Sequence, residues 1–371
     1  MTDLCFVSPG VYAYLDPSDS TPRGGSQRQQ YLLGTALAAR GHTISYLVGD
    51  YGQPAEQTLQ GMRVVAGSFE RLPSLTAAPG LVTRFLRAMR RVDADVYYVR
   101  GAPRLAILTA IGCRLLRKPM IFCVANDADL EAAALEDRYG PTVRRAYRWM
   151  LRSANAIVAQ TPSQQELLRD VYGLESVQIP NGYDLPDGDA LLPATEREYV
   201  LWVGSSDPEQ KQPRKFLEVA RSLPSEEFVL VSKPMADESF HSELQREAES
   251  LSNVTFIGGV PPDEINEYYR RAKLLVNTSS TEGFPNTFLE AWRFATPVVS
   301  LSFDLESVLV GERGGIYAGD VETLIVDVAA LAEDTDRREM LGERCRTLVC
   351  DQYSLDSVVD QYEHLLEGLM E

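Results

Sequence analysis

Short runs of β-branched and aromatic residues alternate with longer stretches of helical periodicity along most of the chain. Leu4–Ser8 is the first apolar run and stops at Pro9-Gly10, the pattern of a buried strand that ends in a loop. Further strands are predicted at Thr43–Val48, Gly61–Val65, Asp95–Arg100, Pro119–Val124, Asn155–Gln160 and Val177–Ile179. Helical stretches fall between them at Gln27–Arg40, Leu81–Val92, Val143–Arg152 and Ser163–Tyr172. The turn-rich segment Pro180-Asn181-Gly182-Tyr183-Asp184 breaks this rhythm and is read as a domain boundary. Strands then resume at Tyr199–Val203, Phe228–Val231, Val254–Gly258, Leu274–Val276 and Pro297–Val299. Helices are expected between them at Arg214–Arg221, Ser239–Ser250 and Pro262–Arg271, and at the end over Val321–Leu331, Arg337–Cys350 and Leu355–Met370. Such alternation predicts an α/β chain of two Rossmann-like, doubly wound domains facing a cleft. The first covers residues 1–183 and is completed by the last helix, 355–371; the second covers 184–354.

The densest chemistry lies in Thr278–Ser300, which reads T-S-S-T-E-G-F-P-N-T-F-L-E-A-W-R-F-A-T-P-V-V-S. Glu282 falls in the loop after a strand, and Glu290 about one turn into the following helix. Two carboxylates so placed can hold sugar hydroxyls while backbone N–H groups at the helix start meet a phosphate. An ordinary strand–helix–strand crossover with two unrelated glutamates has the same outline. Gly24-Gly25, in the loop Pro22–Ser26 between the first strand and first helix, lets backbone approach a ligand or simply makes a turn. Asp127 follows the predicted strand Pro119–Val124, where open α/β sheets bind ligands, and equally suits a helix N-cap.

Charge separates the two halves. Residues 1–183 carry 20 Lys+Arg against 16 Asp+Glu, or +4; residues 184–371 carry 16 against 37, or −21. The basic front half is expected to meet an anionic partner. Arg84, Arg87, Arg90 and Arg91 on one helix, and Arg144, Arg145, Arg148 and Arg152 on another, form either a solvated face or a contact with anionic lipid or acceptor. Nucleic acid is excluded as that partner by the overall charge of −17 and by the lack of interleaved aromatic and basic residues. Five scattered cysteines without C-x-x-C spacing and three isolated histidines speak against a zinc site or a disulfide framework. No apolar run reaches the ~18 residues of a membrane span, and the N-terminus has no basic, cleavable leader. A cytoplasmic protein, peripheral on the inner face of the membrane, is expected.

The segment E-G-F-P-N-T-F-L-E-A-W with its trailing P-V-V-S resembles the signature of the retaining glycosyltransferases of family 4, which have the two-domain GT-B fold. Gly24-Gly25, the R-G-H at Arg40–His42, the I-P-N-G at Ile179–Gly182, and L-W-V-G with Lys211 downstream extend the likeness over nearly the whole chain. So do N-V-T-F-I-G at Asn253–Gly258 and the A-K-L-L-V-N-T-S run before the signature. The resemblance implies a hexosyltransferase that takes a nucleotide-sugar as donor and a glycan or lipid-linked acceptor, without a metal or other cofactor. It implies that Glu290 binds the ribose and that Glu282 faces the donor sugar. Lys211 would neutralise the diphosphate, together with backbone N–H groups around Gly283, Phe284, Pro285, Asn286 and Thr287. Gly204 and Ser205 stand in the phosphate loop, where many relatives have an arginine after the glycine; either Arg214 or Lys215 replaces it, or the phosphate rests on Lys211 alone. Asn126-Asp127 stands where relatives often place a histidine, a departure that bears on acceptor activation; Asp127 is kept with Glu282 and Lys211 as a catalytic candidate. An epimerase or hydrolase of nucleotide-sugars, or a binding subunit without activity, are the alternatives on the same fold.

Overall fold

Strands buried on both faces need unbroken apolar runs, and those runs form the sheets. The computed structural model describes residues 1–16, 24–67, 79–235, 238–261, 264–311 and 313–370. Pro22 and Arg23 of the first predicted loop, and Pro262 at a predicted helix start, lie outside them. The chain divides into two compact units, Met1–Gly182 with Leu355–Glu371, and Tyr183–Ser354.

The first unit holds an eight-stranded sheet: β1 Asp3–Val7, β2 Thr43–Val48, β3 Glu56–Leu59, β4 Met62–Ala66, β5 Val96–Arg100, β6 Met120–Cys123, β7 Ala156–Ala159 and β8 Val177–Gln178. Their order is β3-β4-β2-β1-β5-β6-β7-β8, and every pairing is parallel except β3 with β4. One face is covered by the helices Pro79–Val92, Pro103–Leu116 and Pro141–Ser153, whose Phe85, Met89, Ile107, Tyr147 and Met150 pack on Tyr97 and Phe122. On the other face lie Gly25–Ala39 and the C-terminal helix Leu355–Met370, with Leu33, Leu37, Val358, Val359 and Tyr362 against Phe6, Tyr46 and Tyr98. Arg40 fastens that last helix by donating to the Asp356 carbonyl (3.2 Å) and to the carboxylates of Asp360 and Glu363, and His42 pairs with Glu363 at 3.1 Å. The R-G-H stretch is thus a clamp for the chain's end. The Arg40 guanidinium holds the Glu363 carboxyl below its ordinary pKa, with His42 contributing.

The second unit has a six-stranded, all-parallel sheet: β9 Tyr199–Ser205, β10 Phe228–Lys233, β11 Val254–Ile257, β12 Ala272–Asn277, β13 Val298–Ser300 and β14 Gly315–Tyr317, ordered β11-β10-β9-β12-β13-β14. The chain leaves β9 for β10 on one side and later returns to β12 on the other. The carboxyl ends of β9 and β12 therefore flank the topological switch point, where sheets of this kind leave a crevice.

Of the elements that the predicted pattern lacks, three have definite physical causes. Helix Pro103–Leu116 has nine buried residues on all sides, so it lacks the polar stripe that periodicity detects. β3 is a half-exposed edge strand of polar residues. β14 is masked in sequence by Gly314-Gly315, and the glycine is required: Gly315 has φ of +149°, and a Cβ there would come within 1.8 Å of the Val298 carbonyl oxygen.

Candidate functional site

Two loops meet at the switch point of the second sheet. The one after β9 is a tight turn in which Asp207 Oδ1 accepts from the amides of Glu209 (3.0 Å) and Gln210 (2.8 Å), while its carbonyl accepts from Lys211 N and Gln212 N. Gln212 takes the left-handed conformation (φ 49°) and starts helix Pro213–Ser222. The loop after β12 is laced to this turn. Ser280 N donates to the Gln210 carbonyl (2.8 Å), Ser280 Oγ to the Glu209 carbonyl (3.0 Å), and Gln210 Nε2 to the Thr281 carbonyl (3.1 Å). Below them Trp202 Nε1 donates to Thr278 Oγ1 (2.8 Å), which donates to the Lys211 carbonyl (2.7 Å). Gly204 lets the strand pass this indole: a Cβ there would lie 2.7 Å from the Trp202 ring.

This lacing brings together two charges 71 residues apart in sequence. Lys211 Nζ lies 2.5 Å from Glu282 Oε1, with side chains 23% and 8% exposed. An ammonium so fixed at the mouth of a crevice is a ready counter-charge for an anion.

Glu290 lies in helix Asn286–Trp292 and is only 7% exposed. Each of its oxygens accepts from a tyrosine hydroxyl, Oε1 from Tyr183 (2.8 Å) and Oε2 from Tyr269 (2.7 Å). A carboxylate oxygen carries two lone pairs, so a carboxylate can accept from more than one donor at each oxygen. The helix's first turn is tight: Asn286 N donates to the Phe284 carbonyl (3.0 Å) and Phe288 N to the Pro285 carbonyl (2.9 Å). The Asn286 amide, one of the expected phosphate donors, is therefore engaged by the Phe284 carbonyl. Pro285 is the N-cap, and the buried Phe284 ring stands edge-on to Tyr353, centroids 5.8 Å apart.

The remaining candidates are placed differently. Arg214 donates to Glu247 (2.8 Å) and Glu243 (3.1 Å) on helix Ser239–Glu249 and covers the Phe240 ring, so its charge is engaged there. Ser205 is the last residue of β9. In the first unit Gly24 caps helix Gly25–Ala39 and accepts from Tyr14 Oη at 3.0 Å; the atom a Cβ at Gly24 would strike is the tip of the Gln27 side chain.

Asp127 begins the 3-10 turn Asp127–Asp129, whose N-cap is Asn126. Its carboxylate accepts from Gln164 Nε2 (2.9 Å) and Ser163 Oγ (3.3 Å). Burial raises its pKa, and the two hydrogen bonds only partly oppose this. A carboxyl raised in the fold is destabilising once ionised, and that cost is absent where it is protonated in both states. Asp127→Asn is therefore expected to raise the thermal midpoint at pH 7, with the gain fading as pH falls through the raised pKa and gone below the ordinary carboxylate value; melting curves between pH 3 and 7 check it.

Sequence reasoning missed Tyr183 and Tyr269, which hold Glu290, and Trp202 and Thr278, which hold the lysine turn. It also missed Lys233. Strand β10 was expected to stop at Val231 but runs to Lys233, which lies opposite Ser205 of β9. Lys233 is an exposed residue whose ammonium loses part of its hydration against neighbouring protein, which lowers its pKa; the Lys211 charge adds to this, and the Glu290 carboxylate opposes it.

Residues 23–186 match the family model described as Glycosyltransferase Family 4, and residues 197–334 the model described as Glycosyl transferases group 1. The D-inositol 3-phosphate glycosyltransferase of Kineococcus radiotolerans is 24% identical over 86% of this chain and 85% of its own. The lipopolysaccharide core biosynthesis glycosyltransferase LpsE of Rhizobium meliloti is 24% identical over 58% of this chain and 65% of its own. Among solved structures, sucrose-phosphate synthase from Thermosynechococcus elongatus superposes with a TM-score of 0.79 at 19% identity, covering 99% of both chains. HepE from Anabaena, solved in complex with UDP and glucose, gives 0.77 at 17% identity over 99% of this chain and 100% of its own.

Proposed function

The chain belongs to the glycosyltransferases of the GT-B fold, a family 4 domain followed by a group 1 domain, and from that premise we propose that it moves a hexose from a nucleotide-sugar to a glycan or lipid-linked acceptor with retention of anomeric configuration. The observation that carries this reading is the Lys211–Glu282 pair at the switch point of the second sheet. Lys211 sits where a leaving diphosphate needs a cation, and with that charge supplied by the protein the reaction needs no metal. Glu282, beside it, faces the donor sugar and orients its hydroxyls. Glu290, positioned by its two tyrosines, holds the ribose. With no protein nucleophile assigned, the departing phosphate takes the acceptor proton as the new bond forms on the same face. The relative HepE was solved with UDP-glucose, so a uridine donor is the first to try.

The acceptor is proposed to lie at an anionic membrane surface, supported by the arginine helices of the first unit. Arg84, Arg87, Arg90 and Arg91 are exposed on helix Pro79–Val92, and Arg145, Arg148 and Arg152 on helix Pro141–Ser153, where the Trp149 ring is also exposed. Both helices border Pro103–Leu116 on one face of the sheet. No helix is long and apolar enough among the described residues to cross a membrane, so binding would be peripheral. Each basic residue at an anionic surface contributes about 1 kcal/mol. Arg145→Glu, Arg148→Glu and Arg152→Glu together are expected to weaken cosedimentation with phosphatidylglycerol vesicles at low salt about 100-fold or more. Unchanged binding would remove the membrane from the proposal.

Incubation with labelled UDP-, GDP- and ADP-hexoses and extracted lipid acceptors tests the activity. Transfer with matching release of nucleoside diphosphate supports it. Release of free sugar or an epimer without any acceptor would favour a hydrolase or epimerase instead.

A further inference from the structure

We propose that Lys233 is a second cation of the donor site, holding the nucleoside diphosphate together with Lys211. This rests on the nucleotide-sugar reading given above and adds a residue that no part of that reading uses.

Lys233 is the last residue of β10, the immediate neighbour of β9 in the sheet. The parallel register pairs it with Ser205, the residue from which the Lys211 turn departs. Neighbouring strands lie ~4.8 Å apart, so Lys233 leaves the sheet at the same carboxyl edge and one strand over from that turn. The backbone there is locked. The Lys233 carbonyl accepts from Ser206 N (2.9 Å) and from Ser206 Oγ (3.2 Å), and Ser206 Oγ also contacts Ser232 Oγ (2.8 Å) and His241 Nδ1 (2.5 Å). This network fixes where the side chain starts. On its other side the turn after β11 comes close, with a Cβ at Gly259 3.6 Å from the Lys233 Cβ.

The electrostatics agree with that placement. Lys211 and Lys233 are near enough for the Lys211 charge to disfavour protonation of Lys233, and Glu290 is near enough to favour it. Lys211, Lys233 and Glu290 therefore share one electrostatic neighbourhood, although they come from three separate segments of the second unit. Two like charges held that close repel, and a diphosphate bound beside them relieves the repulsion. The residue after Gly204 is the uncharged Ser205, and its neighbour across the ladder is Lys233. Arg214, the sequence-based candidate for the missing charge, is taken up by Glu243 and Glu247.

Calorimetric titration of UDP, GDP and ADP into the full chain tests the inference, using whichever diphosphate the wild-type protein binds. Lys233→Met is expected to weaken that diphosphate about 10-fold and to flatten the salt dependence of binding, while the Kd of the matching nucleoside stays unchanged. Lys233→Arg is expected to restore most of the affinity. Lys233→Gln serves as a second neutral variant, and far-UV circular dichroism establishes that each variant is folded. Equal diphosphate affinity in wild type, Lys233→Met and Lys233→Gln would overturn the inference and leave the donor site standing. An equal loss for nucleoside and diphosphate would also overturn it, since that marks a structural effect. If the wild-type protein binds none of the three diphosphates, the donor-site reading fails, and this inference with it.

Discussion

Replacing Lys211 by alanine is expected to lower kcat/KM for the nucleotide-sugar by about 10²- to 10³-fold, beyond what its loss of stability explains. The fold-change follows from what a preorganised charge does for a departing anion. Removing one such group from an enclosed site typically raises the barrier by about 3–4 kcal/mol. The lysine is preorganised because its turn is tied to the β12 loop by Ser280, Gln210 and the Trp202–Thr278 chain, so little reorganisation remains when the diphosphate leaves. Stability should also fall, by about 1–3 kcal/mol, because Glu282, whose side chain is only 8% exposed, loses its partner. Lys211→Arg keeps the charge and should retain more activity than alanine. Steady-state kinetics beside urea unfolding separate the two effects, and a loss of activity that merely tracked loss of stability would refute the assignment.

Glu290→Ala is expected to damage folding and ligand binding together. Tyr183 and Tyr269 both donate to this carboxylate in a buried setting, and each hydroxyl left without an acceptor costs about 1–3 kcal/mol. A combined loss of about 2–5 kcal/mol is a large share of the stability of an ordinary domain. Glu290→Gln separates the roles. Its amide oxygen still accepts from one tyrosine, so most of the stability should return, but it no longer offers two charged acceptors to a vicinal diol. Its affinity for nucleoside should therefore stay at least several-fold weaker, since bonds to an ionised acceptor are roughly twice as strong as neutral ones. Normal nucleoside affinity in Glu290→Gln would make Glu290 a purely structural carboxylate.

Much of the fold can be read from the sequence because, β3 aside, the strands of both sheets pair in parallel and most of them are buried. Runs such as Thr43–Val48 and Tyr199–Val203 carry no competing helical period. What escaped has definite causes. Helix Pro103–Leu116 is surrounded by protein and so shows no polar face. β14 hides behind glycines whose conformation the strand itself demands. Within the site, Lys211, Glu282 and Glu290 stand in recognisable local strings. Tyr183 and Tyr269 reach Glu290 from 107 and 21 residues away, and no local pattern marks such partners. Lys233 escaped through an error of two residues at a strand end: polar Ser232 and Lys233 end the apolar run, yet ladder pairing to β9 carries the strand through them. Arg214 was attractive because it lies close to Lys211 in sequence, but helix Pro213–Ser222 turns it toward helix Ser239–Glu249, where two glutamates hold it.

The central claim is that the Lys211–Glu282 end of the second sheet works on a nucleotide-sugar. Its most direct test is transfer of labelled hexose from UDP-hexose, and then GDP- and ADP-hexose, to extracted lipid acceptors in the presence of EDTA, with wild-type protein and Lys211→Ala in parallel. The account predicts labelled product with stoichiometric release of nucleoside diphosphate for the wild type, and a rate at least 100-fold lower for Lys211→Ala. No diphosphate release with any of the three donors, or equal rates for the two proteins, would contradict it.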